Sequence, residues 1–79
     1  MLKGTVKGSV WSTKRVDDVP NGAFLEVELE AGGSLVAFDV LGSGVGEQVL
    51  IATGSVAASR FAPAHPPIDA LIVGIIDAG

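Results

Sequence analysis

Seventy-nine residues with no cysteine, nine acidic and five basic side chains, and a net charge of −4 form one small domain over residues 1–79, without disulfides or thiolate zinc sites. A domain of this size hides only about 60–65% of its unfolded surface. Yet 48% of the residues are apolar and the mean hydropathy is +0.54, so oligomerisation is the remaining way to stabilise it.

The chain opens with clean alternation. Leu2, Gly4, Val6, Gly8 and Val10 share one face, and Lys3, Thr5, Lys7 and Ser9 the other, which is the period of a half-buried strand. Inward glycines imply close backbone approach or strong curvature. Pro20-Asn21-Gly22 marks a turn. A second strand then places Leu25, Val27 and Leu29 inward and Glu26, Glu28 and Glu30 outward. Paired with the first strand, it would set glutamates opposite lysines on the solvent face. Ala31–Ser34 reads as a hairpin loop and Leu35–Val40 as the returning strand.

The glycine-rich stretch Gly42-Ser-Gly-Val-Gly46 follows, and Val49–Thr53 forms a fourth strand. Gly54-Ser55 opens one helical turn through Arg60, with Ser55 as the expected N-cap. Phe61–Pro67 is a proline-rich connector. Ile68–Ile76 is a fifth strand, apolar on both faces. A strand without a polar face must be covered twice, and with no long helix in the sequence a neighbouring subunit is the expected cover. The fold class is all-β: a small five-stranded OB-like barrel with one short helical turn.

Side chains that do chemistry are sparse. Glycines 42, 44 and 46 could present backbone N–H groups to an anion. However, the spacing is not that of a dinucleotide loop, no lysine follows, and a strand comes next where a P-loop has a helix. A tight turn with several positive-φ residues is the expected reading, or a loop packed against its own symmetry copies around an axis. Asp39, Glu47, Asp69 and Asp77 are scattered, so Asp39 and Asp69 are expected to cap turns. One histidine, His65, cannot make a His-rich metal site, and Ser43, Ser55 and Ser59 have no evident base. No metal, cofactor or catalytic group is expected.

The longest strongly apolar run, Ala70–Ile76, has seven residues, against roughly 20 for a membrane helix. The amino terminus also lacks the apolar core of a signal peptide. A cytoplasmic protein without a membrane partner is expected. Lys3, Lys7, Lys14, Arg15 and Arg60 form no basic run longer than a pair, which argues against nucleic acid. The alternative class is a small barrel binding nucleic acid or oligosaccharide, but Trp11 and three phenylalanines are few stacking platforms, and Trp11, at the end of the first strand, is expected as a rim or interface residue.

Three motifs in order carry a resemblance that spans the chain. They are Gly4-Thr-Val-Lys-Gly-Ser-Val-Trp-Ser-Thr13, Asp39-Val-Leu-Gly-Ser-Gly-Val-Gly-Glu47, and Pro67-Ile-Asp-Ala-Leu-Ile-Val-Gly-Ile-Ile-Asp77. With the Gly54-Ser55 turn, they are similar to those of the bacterial microcompartment vertex proteins, the carboxysome and ethanolamine-utilisation pentamers. The resemblance implies a homopentamer at the five-fold vertices of an icosahedral shell, beside hexameric shell proteins. Five-fold symmetry makes each contact heterologous, with two different patches per subunit. Gly42, Ser43, Gly44, Val45, Gly46 and Glu47 are then the expected axial loop or pore. Val49, Ile51, Ile68, Leu71, Val73 and Ile75 are the expected subunit interface. Lys14, Arg15 and Arg60 are the expected rim toward the hexamers.

Overall fold

Strand β1 (Leu2–Val10) pairs antiparallel with both β2 (Ala23–Leu29) and β4 (Gln48–Thr53). In this computed structural model, which describes residues 1–12, 14–17, 19–64 and 66–77, β2 continues to β3 (Ser34–Asp39), and β5 (Ala70–Ile75) closes the sheet between β3 and β4. The order around the closed barrel is β1-β2-β3-β5-β4. The β3–β5 seam that completes closure is a single parallel bridge, Phe38 to Leu71.

The interior follows the alternation. Val6, Leu25, Val27, Ala37, Val49, Ile51, Ala70 and Ile72 form one buried cluster. Gly4 has a steric reason: a Cβ there would lie 2.5 Å from Val27 Cγ1 and 2.6 Å from the Glu28 carbonyl oxygen. Gly8 differs, because a Cβ there would meet open space. It sits just past a register shift after Val6, where a bulge bends the strand. On the solvent face Lys3 pairs with Glu30 at 3.3 Å and Lys7 with Glu28 at 4.0 Å. Both pairs are well exposed, so they contribute at most about 1 kcal/mol each.

A second cluster lies on the outer side of the barrel wall. Phe38, Ala57, Ile68 and Leu71 are buried together, with Val19, Phe24 and Phe61 packed around them. Phe38 meets Phe24 and Phe61 edge-on, at centroid distances of 5.2 and 6.0 Å. The short helix α1 (Ser55–Ser59) buries Ala57 in this cluster. Its N-cap is Gly54, at φ 74°, with no side-chain capping bond. Ser55 is therefore the first helical residue and does not act as the cap. The fifth strand is also shorter than its apolar run: Ile68 precedes it and plugs the outer cluster. The outer face of Leu71 is thus covered by the chain's own helix and connector, whereas Val73 and Ile75 remain 44% and 40% exposed.

Candidate assembly surface

The glycine-rich loop is built on Asp39, which is 3% exposed at the end of β3. Its carboxylate accepts from the backbone N–H groups of Leu41 (3.2 Å), Gly42 (3.0 Å) and Ser43 (2.8 Å), and from Ser43 Oγ (3.0 Å). Glu47 Oε1 accepts from the Gly44 N–H at 2.6 Å. The far side of the loop is bound to β1: the Gly46 N–H donates to the Val6 carbonyl, and the Val6 N–H donates to that of Glu47.

These amides are spent inside the protein, so they cannot form an outward anion cradle. Positive φ occurs at Gly42 (80°) and Gly46 (89°) but not at Gly44. Outward the loop presents Leu41, 50% exposed, Val45, 73% exposed, and the exposed Glu47. Asp39 therefore holds a turn, as its place in the sequence predicts. Asp69 is exposed, and its backbone carbonyl accepts from the Gly54 N–H.

The six residues expected at a subunit interface divide into two groups. Val49 and Ile51 are fully enclosed in the barrel, and Ile68 and Leu71 in the outer cluster. Burial in their own subunit leaves Val49 and Ile51 no surface to offer a neighbour, and Ile68 and Leu71 only 6% and 3% of theirs. Val73 and Ile75 do have such surface.

The expected rim cations are all exposed. Arg15 donates to the Gly22 carbonyl at 3.2 Å and lies 4.8 Å from the Phe24 ring centroid. Arg60 lies 5.5 Å from that of Phe61. Such contacts fix side-chain direction at modest energy. His65 and Thr13 fall outside the described residues.

The sequence points to Trp11 as an exposed rim or interface residue but does not single out the exposed valines. Trp11 is 90%, Val56 68% and Val16 60% exposed, and Val10, Val36 and Val40 add to them. The described residues contain no group of three or more His, Cys, Asp or Glu side chains able to hold a metal ion. None of their helices is long and apolar enough to cross a membrane.

A closed five-stranded barrel with one short helix has close counterparts among known proteins. The family model for ethanolamine utilisation protein EutN/carboxysome matches residues 1–77. The chain belongs to the EutN/carboxysome family. Among curated members, the carboxysome shell vertex protein CcmL of Gloeobacter violaceus is 38% identical, over 98% of this chain and 83% of its own. The microcompartment shell vertex protein GrpN of Rhodospirillum rubrum is 34% identical, over 98% and 93%. Among solved structures, the pentameric shell protein MSM0273 from the RMM microcompartment superposes with a TM-score of 0.94 at 64% identity, covering 99% of this chain and 92% of that one.

Proposed function

We propose that this chain is a structural subunit of a bacterial microcompartment shell, without catalysis. Five copies close into a ring at each five-fold vertex, beside hexameric shell proteins. The near-full-length likeness to a pentameric shell protein carries this reading. The mechanism is geometric. A lattice of hexamers is flat, and a five-fold unit supplies the curvature that closes it.

The loop Gly42–Glu47 faces the five-fold axis in this reading, and its internal bonding keeps the rim of any opening fixed. Lys14, Arg15 and Arg60 stand at the edge toward the hexamers. Native mass tests the ring: about 39.5 kDa is expected, from five 7.9 kDa subunits. A stable 7.9 kDa species would instead point to a ligand-binding barrel. Co-expression with a hexameric shell protein tests the vertex role. Closed particles should form only when both are present, and equally closed particles without this chain would refute the role.

A further inference from the structure

The turn Pro20-Asn21-Gly22 leads into β2 and belongs neither to the barrel core nor to the glycine-rich loop. Asn21 is exposed, and it is the only asparagine in the chain. Among the described residues its carboxamide has no hydrogen-bond partner, and the Gly22 N–H meets no acceptor. Gly22 is held by its carbonyl alone, which accepts from Arg15 at 3.2 Å. The fold also demands glycine there. A Cβ on Gly22 would lie 2.6 Å from Phe38 Cζ and 2.7 Å from the Asp39 carbonyl oxygen. The outer cluster thus requires glycine directly after an exposed, unbonded asparagine.

Asparagine is among the chemically labile residues, and a glycine after it favours attack by the backbone on the side chain. Glycine has no Cβ to hinder the approach of its nitrogen and is conformationally permissive. A hydrogen bond at the Gly22 N–H or at the Asn21 carboxamide would oppose that approach, and the turn provides neither.

We infer that Asn21–Gly22 is a site of spontaneous covalent modification in the folded protein, and that its main product disturbs the entry to β2. The deprotonated Gly22 nitrogen attacks Asn21 Cγ. A nitrogen–Cγ bond forms and the bond from Cγ to the carboxamide nitrogen breaks. That nitrogen leaves as ammonia, taking up the proton that Gly22 gave. Water then opens the cyclic imide at either carbonyl. One opening gives aspartate at position 21. The other gives isoaspartate, whose main chain runs through the former side chain and is one atom longer. No electrons are exchanged, and each event adds one negative charge to a chain of net charge −4. The extra backbone atom falls directly before Gly22, which is packed against Phe38, and just ahead of Ala23↔Asp39, the first β2–β3 pair. Isoaspartate should loosen this junction, whereas aspartate leaves the backbone as it was.

The purified full chain is incubated in alkaline and in mildly acidic buffer, both native and in guanidinium chloride, and followed by intact mass. The native sample should gain one mass unit, several-fold faster in alkaline buffer and within an order of magnitude of the unfolded rate. Isoaspartyl methyltransferase should label the product, and Asn21→Ser should abolish both signals. A mass gain confined to the unfolded sample would overturn the inference, because the fold would then protect the turn. A gain that persists in Asn21→Ser would also overturn it, moving the reaction to Gln48. A product that the methyltransferase ignores would mean direct hydrolysis and refute the backbone attack. Anion exchange then separates the more negative species from unmodified protein. The isoaspartate form should melt at a lower temperature, and equal midpoints would refute the claimed effect on β2.

Discussion

At the scale of single residues, Asp39 decides the shape of the glycine loop. Its carboxylate takes three backbone N–H groups and one hydroxyl while 3% exposed. Removing a buried charged acceptor leaves its donors unsatisfied, at about 1–3 kcal/mol for each group left unpaired. Partial rehydration of this surface loop brings the expected cost of Asp39→Ala to about 2–3 kcal/mol, read as a lower urea midpoint at fixed protein concentration. Asp39→Asn keeps the size but turns one acceptor into a donor that faces other donors, so it should also destabilise. Unchanged midpoints for both variants would mean that the loop holds its shape through its glycines and the Val6 anchors alone. The carboxylate's role was legible in the sequence, because a strand-ending Asp before Gly-Ser-Gly is a turn-capping pattern. The Gly46 and Glu47 bonds to Val6 were not, since they join positions that only barrel closure brings together.

At the scale of elements, the two clusters differ in how local their causes are. Alternation places Val6, Leu25, Val27, Val49 and Ile51 inside because a strand's side-chain period is fixed by its backbone. The outer cluster has no such signal. Phe38 and Leu71 point away from the barrel interior, where alternation assigns solvent, and they are buried because α1 and the connector fold back over them beside Val19 and Phe24. That return depends on contacts distant in sequence, so the apolar second face of β5 was read as wholly awaiting another subunit. Phe38, 1% exposed between Phe24 and Phe61, is the centre of this cover. Phe38→Ala should cost about 3–5 kcal/mol, close to the whole stability of a small domain. The expected result is loss of cooperative thermal unfolding, with Phe38→Leu giving a lower but still sharp transition. A sharp, unshifted transition for Phe38→Ala would show that the barrel stands without its outer cover.

At the scale of the whole molecule, the proposed ring would couple folding to assembly through the exterior. The barrel encloses only a modest core, while Trp11, Val16, Val45, Val56, Val73 and Ile75 remain at least 40% exposed. If the proposed ring covers them, it stabilises the folded state by mass action, since only folded subunits can assemble. The midpoint of thermal unfolding should therefore rise with protein concentration and fall on dilution. Apolar contacts are not screened by salt, whereas exposed ion pairs such as Lys3–Glu30 are. Raising sodium chloride should thus leave the concentration dependence in place or strengthen it. Circular dichroism melts over a hundredfold dilution series at low and high salt would measure both effects. A midpoint independent of concentration would mean that each barrel is stable alone and its apolar exterior adds little to folding. A concentration dependence that disappears in salt would place the ring's cohesion in charged contacts such as Lys14, Arg15 or Arg60, and not in the tryptophan and aliphatic surface.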